Sequence, residues 1–361
     1  MGHLTLPLYV TGSGAVTAAG LTAPQTCAAI RAGVTGFSME TLSDPFGAEQ
    51  TVARVPANWR LKSEAGRWLV NLAARAIREA MQDADAANPG LTERTALFLT
   101  PPESRRDHPA YADIAPSALL DAVATACGTT FHPASRAIDR GAAAGLGLLA
   151  QASALLGQGA VDRVMLAGVD SLVNPIDLAR LAAANRLAGG GTSQGLVPGE
   201  GAAAVMLSAR APSGPRPTCA ILSIATAREE NSVLSEGFSQ GRAMLSALRE
   251  ASRKGEADGE PFVDFVVSNG NGERYAAWES MITRARFYRT RRDRTPAAMP
   301  AMSAGETGAA SAALALVVVR DAFALGYAPG RVAMAEIASD DGLRSAAMLR
   351  TTAAAAQLQA G

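Results

Sequence analysis

Few side chains in this 361-residue sequence have the types and spacing that chemistry needs. Cys27, Cys127 and Cys219 are the three sulfur nucleophiles on offer. Cys127 follows Thr125-Ala126 at the end of an apolar stretch, 118–124, that reads as helix, and Gly128 follows it. Pro133 then forbids a long helix after the cysteine, because proline in a helix interior costs about 3 kcal/mol. Cys127 therefore reads as a small buried apolar side chain, as do Cys27 on a helix and Cys219 on a strand. Of the three histidines, His3, His108 and His132, the last two stand before prolines and read as loop residues; neither has a metal-ligand partner at suitable spacing. Gly189-Gly190-Gly191 lacks the lysine and the following helix of a phosphate loop and reads as a surface turn. Asp139-Arg140 reads as an ion pair fixing a turn, and Glu200, in Gly199-Glu200-Gly201, as a carboxylate accepting nearby backbone N–H groups. Neither a metal nor a cofactor is expected.

The elements that would carry these residues alternate. Trp68, Leu69, Leu72, Ala73, Ala76, Ile77, Ala80 and Met81 repeat at helical spacing, and Ala96-Leu97-Phe98-Leu99 reads as a short apolar strand. Leu146, Leu149, Gln151, Ala152, Leu155 and Leu156, with alanines and glycines almost everywhere else, lie on a helix that is apolar nearly all round, which marks it as buried. Ala211-Pro212-Ser213-Gly214-Pro215-Arg216-Pro217 breaks any helix or central strand and divides the chain into halves, 1–210 and 218–361. After it come strands over 218–225 and 262–268, a helix over about 240–250, a buried helix over 309–320 and a closing strand over 331–337.

Five segments, in order, resemble the β-ketoacyl synthases, the condensing enzymes of fatty-acid and polyketide synthesis. Tyr9-Val10-Thr11-Gly12-Ser13-Gly14-Ala15-Val16 is similar to that family's opening strand and glycine turn. Arg140-Gly141-Ala142-Ala143-Ala144-Gly145 resembles the turn that holds its nucleophile. Gly199-Glu200-Gly201-Ala202 resembles the turn before a central strand. Val267-Ser268-Asn269-Gly270-Asn271-Gly272 and Ala304-Gly305-Glu306-Thr307-Gly308 fall where the family keeps two histidine loops. The resemblance implies a duplicated five-layer α-β-α-β-α thiolase-like α/β fold. It also implies which positions are altered. The reactive cysteine, three residues before a glycine, corresponds to Ala142, which offers no atom for an acyl-enzyme bond. The first histidine corresponds to Asn271, the second to Gly305 or Glu306, and Pro300 stands near the place of a lysine. The glycine-rich loop that supplies oxyanion N–H groups is replaced by Ser339-Asp340-Asp341-Gly342-Leu343-Arg344-Ser345. The stretch between the linker and Asn269, which caps the acyl pocket in that family, is short, and this puts a surviving pocket in doubt.

No catalytic residue is therefore expected. The resemblance implies a non-catalytic β-ketoacyl-synthase-like protein that acts as a binding partner, adaptor or scaffold. One alternative is a chain-length-factor-like subunit of an active ketosynthase. Another is an acyl-thioester enzyme in which a buried Glu306, its pKa raised, acts as a base beside Asn271. The expected partners are a second copy or an active ketosynthase, joined through an edge strand at Ala134–Ile138, and an acyl carrier protein or another client. Lysines plus arginines number 33 and acids 33, so net charge is zero and nothing argues for nucleic-acid or membrane-surface binding. Three cysteines with no pairing pattern, no leader pattern and no apolar run of about 20 residues lead to the expectation of a cytoplasmic protein.

Overall fold

The structure, a computed structural model, describes residues 3–41, 49–56, 64–87, 94–189, 194–212, 217–254, 263–289 and 295–352. The strands are β1 (Leu8–Thr17), β2 (Ser38–Thr41), β3 (Glu49–Val52), β4 (Thr95–Thr100), β5 (Arg136–Ala137), β6 (Arg163–Ser171), β7 (Glu200–Ser208), β8 (Cys219–Arg228), β9 (Phe265–Ser268), β10 (Ala297–Ala298), β11 (Val332–Ala338) and β12 (Leu343–Thr351). The helices are α1 (Ala23–Ala32), α2 (Ala65–Ala87), α3 (Ala110–Asp113), α4 (Pro116–Cys127), α5 (Ala144–Gly147), α6 (Leu149–Gly157), α7 (Pro175–Ala183), α8 (Arg242–Lys254), α9 (Arg274–Phe287), α10 (Ala301–Ala304) and α11 (Ser311–Ala324). Their ends follow local chemistry. Thr22 and Asn174 accept N–H groups from Gln25 and Asp177 as N-caps of α1 and α7. Pro116 opens α4, and Gly128, at φ 68°, closes it.

Ten strands run in the order β10-β9-β11-β12-β8-β1-β7-β6-β4-β5. From β1 outward, β1/β7 and β7/β6 are antiparallel, and β6/β4 and β4/β5 are parallel. From β8 outward the same sequence recurs: β8/β12 and β12/β11 antiparallel, β11/β9 and β9/β10 parallel. The two five-stranded units meet at Leu8↔Ile221 and Tyr9↔Ala220.

Strand alternation sends side chains to two faces and so builds the layers. In β4, Leu97 and Leu99 pack with α2, whereas Ala96 and Phe98 face the other way, into a core that holds Leu149, Leu156 and the apolar side chains of α11. That same core takes Ile221, Val267, Ala335 and Leu349 from the second unit, whose opposite face, with Val266, Met334 and Met348, packs on Leu245 and Leu248 of α8. The layers are thus α2, a sheet, the α5–α6–α11 helices, a sheet, and α8 with α9: a five-layer α-β-α-β-α fold. The middle layer is tight. A Cβ on Gly145 would lie 2.6 Å from Cβ of Ala312, so only glycine lets α5 approach α11.

One predicted element is corrected. The strand at 331–337 does not close the fold; β12 follows it and lies between β11 and β8. It was missed because Arg344, Ser345 and Arg350 interrupt its apolar pattern, and Arg344 is fully buried all the same. The long elbow helix is two pieces that meet at Leu148. Residues 190, 191 and 213–216, parts of the triple glycine and of the linker, lie outside the described residues. Among the described residues no helix is long and apolar enough to cross a membrane.

Candidate functional site

The elbow is the residue run between β5 and α5. Gly141 takes the left-handed conformation, φ 72°, and a Cβ there would meet Oε1 of Glu103 at 2.1 Å. Ala142 comes next, buried on the floor of a cavity of about 520 Å³. The backbone of Ala143 is clamped on both sides: its N–H donates to Ser339 Oγ, and its carbonyl accepts from Ser345 Oγ, each at 2.8 Å. Ser339 lies in the turn from β11 to β12, and Ser345 in β12 itself. The hydrogen bond the elbow could offer a ligand oxygen from this N–H is already used.

Asn271, in the loop from β9 to α9, and Glu306, between α10 and the turn at Gly308–Ala310, line the same cavity as Ala142. Asn271 Nδ2 donates to Glu306 Oε2 at 2.9 Å and to Glu273 Oε2 at 3.0 Å. Oε1 of Glu306 accepts from the N–H of Gly308 at 2.9 Å and from Ser311 Oγ at 3.3 Å. Burial pushes the Glu306 carboxyl up to about 7, against the pull of these hydrogen bonds and with Asp340 and Glu273 adding to the rise. Gly305 does not join the cavity lining; it packs at φ 72° against Ala53 and Gly199, a backbone role. The structure therefore brings together three of the four positions singled out by the sequence. A cavity stands above the elbow even though the stretch between the linker and Asn269 is short.

Around these residues lies an arginine–carboxylate network. Arg106 is bidentate on Asp170, at 2.7 and 2.9 Å, and also reaches Asp177 at 2.9 Å. Burial opposes its charge, but the two carboxylates override this and raise its pKa. Asp177 would likewise be raised by burial, and Arg106 holds it low instead. Arg186 spans two loops of the second unit, binding Glu273 at 2.6 and 2.8 Å and Asp340 at 2.7 Å. Arg344 donates to Glu279 at 2.8 Å and to the Ser339 carbonyl at 2.7 Å, which stiffens the turn that clamps Ala143. Sequence reasoning missed these partners. The available signal was a charge inside or at the end of an apolar run, as with Asp170 after Val164–Val169 and Arg344 in β12.

The remaining candidates lie elsewhere. Cys127 ends α4 beside the Ala74 carbonyl, off the cavity, with its thiol pushed up to about 11 by burial. Cys27 and Cys219 are buried in the central core. No cysteine, histidine or lysine is among the described residues that line the cavity. His108 lies in a loop, as expected, and is buried there: it is joined to the Ser171 carbonyl at 2.9 Å, and its pKa is lowered by that burial. Glu200 has the structural part expected of it, accepting from Val55 N, Trp68 Nε1 and Ser171 Oγ. Asp139 and Arg140, both described, make no ion pair with each other; Glu103 and Ser339 crowd the turn instead. No described group of three or more His, Cys, Asp or Glu side chains is placed to hold a metal ion.

No protein-family model matches the sequence, and no curated protein does. Solved structures match over nearly the whole chain. A type II polyketide-synthase acyl-carrier protein in complex with its ketosynthase bound to the hexaketide aligns at TM-score 0.78 and 17% identity, over 96% of this chain and 99% of that one. The ishigamide ketosynthase/chain length factor aligns at TM-score 0.77 and 18% identity, over 96% and 99%. A ketosynthase in complex with its chain length factor from Xenorhabdus doucetiae aligns at TM-score 0.73 and 14% identity, over 96% and 98%. At these identities the likeness shows architecture, and the architecture is the thiolase-like α/β fold of the ketosynthases.

Proposed function

We propose that this chain is a non-catalytic ketosynthase-fold protein that works by binding, its halves 1–210 and 218–361 forming one scaffold. The observation that carries the reading is the elbow: Ala142 on the cavity floor, its neighbour's N–H engaged by Ser339, and no thiol, imidazole or ammonium among the described residues lining the cavity. Covalent acyl transfer needs a nucleophile and groups to activate it. Pairing with an active ketosynthase, in the manner of a chain length factor, is the form favoured by the complexes this fold aligns with. An acyl carrier protein is a partner consistent with the carrier-protein complex among them.

The edge of the sheet supports pairing. β5 is the outermost strand beyond β4. The N–H of Ile138 donates inward to Leu99, so strand alternation turns the N–H of Ala137 outward. An uncovered edge invites another strand. Light scattering of the full chain over a dilution series, alone and mixed with an intact ketosynthase, tests this. The expected result is a dimer or a one-to-one complex that Ala137→Pro disrupts; a monomer in both settings contradicts it.

One observation favours a second reading, acyl-thioester chemistry by Glu306 with Asn271: the Glu306 carboxyl, raised to about 7, would serve as a base near neutral pH. Turnover of a thioester substrate that is abolished in Glu306→Gln would select it.

A further inference from the structure

The arginines of the cavity are already committed. Arg106, Arg180, Arg186, Arg284 and Arg344 each face one or more carboxylates. Glu306 has no such cation among the described residues: its donors, Asn271 Nδ2, the Gly308 N–H and Ser311 Oγ, are all neutral. The charged groups that face it from neighbouring loops are Glu273 and Asp340, and the guanidinium of Arg186 is spent on those two. On the far side of Gly308, Asp170 holds the Ala309 N–H and is in turn held by Arg106.

The cavity also has a direction. Glu306 and Ala142 are 8% and 6% exposed and lie at its inner end. Met281, Met299 and Met302, at 56%, 40% and 49% exposed, line its mouth. Methionine is a flexible, polarizable side chain that adapts to apolar groups of varied shape. A buried carboxylate without a counter-charge is costly, and a ligand that brings the missing positive charge recovers that cost. An anionic head would instead meet Glu306, Glu273 and Asp340, while each described guanidinium lining the cavity already faces a carboxylate.

We propose that this cavity binds a small molecule with a single ammonium group on an apolar body, the ammonium against Glu306 and the body along the methionines. Three hydrogens of an ammonium suit a site where one carboxylate oxygen is flanked by an amide and a second carboxylate. The proposal does not depend on pairing with a ketosynthase, and its test reads neither pairing nor acylation.

The test is isothermal titration of the full chain with octylamine and with sodium octanoate, at pH 6 and at pH 8. Octylammonium remains charged at both, as a lysine side chain with pKa about 10.4 does. It is expected to bind, and octanoate to bind at least about tenfold more weakly, the worth of one charge-assisted contact. Because the Glu306 carboxyl is raised to about 7, its ionised fraction grows between the two pH values, and octylammonium affinity is expected to rise about tenfold. Glu306→Gln is expected to remove that pH dependence and weaken octylammonium at pH 8. Octanoate binding as tightly as octylammonium, octylammonium failing to bind at millimolar concentration, or a wild-type affinity indifferent to pH would each overturn the proposal. The wild-type pH series decides the matter even if the variant does not fold.

Discussion

Ser339 accepts the backbone N–H of Ala143 at 2.8 Å, with Ser339 on the turn after β11 and Ala143 at the head of the central helix layer. The contact spans 196 residues of sequence and stitches the elbow of one unit to a turn of the other. Ser345 completes the clamp from β12. A backbone donor beside the elbow is thus spent within the protein, on a residue that Arg344 holds in place through its carbonyl.

Ser339→Ala removes the acceptor and leaves the buried Ala143 N–H without a partner. The expected loss of stability is about 1–3 kcal/mol, the cost of a buried unsatisfied donor. Chemical denaturation of wild type and variant measures it. An unchanged midpoint would mean that the N–H has another acceptor.

Arg186→Ala strips the cation from Glu273, which is itself buried, and from Asp340. Breaking a buried pair from one side is expected to cost about 3–5 kcal/mol. Arg253, an exposed arginine paired with Glu250, is the control; its replacement by alanine is expected to cost about 0–1 kcal/mol. Similar losses for the two would remove the special status of the cavity network.

The pH dependence of stability follows from Glu306. Its folded pKa, about 7, lies above the unfolded value of 4.5, so the folded state binds more protons between these values. Its contribution is fully favourable below pH 4.5 and is lost as pH rises through 7, on the order of 3 kcal/mol in all. Denaturation of wild type and Glu306→Gln at pH 5 and pH 8 is expected to show the variant gaining on wild type at the higher pH. A difference that is the same at both would place Glu306 outside this account.

Much of the fold is legible in the sequence because its elements are long and strongly patterned. The helical repeat from Trp68 to Met81 lies within α2, and the apolar run 96–99 within β4. β12 is not legible, since its buried Arg344 is satisfied by Glu279, a residue 65 positions away in sequence. At the site, Ala142, Asn271 and Glu306 stand out by motif position. Their setting does not: the Arg186–Glu273–Asp340 bridge joins residues 87 and 154 positions apart, a separation that local pattern cannot register. Asp139-Arg140 shows the reverse error, since adjacent opposite charges look paired in a sequence while the folded chain makes no ion pair between them.

The most direct test of the central claim, binding without covalent chemistry, is the intact mass of the protein after incubation with acyl-carrier and malonyl thioesters. The wild-type chain is expected to keep its mass. Ala142→Cys is expected to yield no condensation product, because members of a catalytic unit act together and one restored group recovers little. A stable acyl adduct on the wild-type chain, at Cys127 or at any serine of the cavity, would contradict the account.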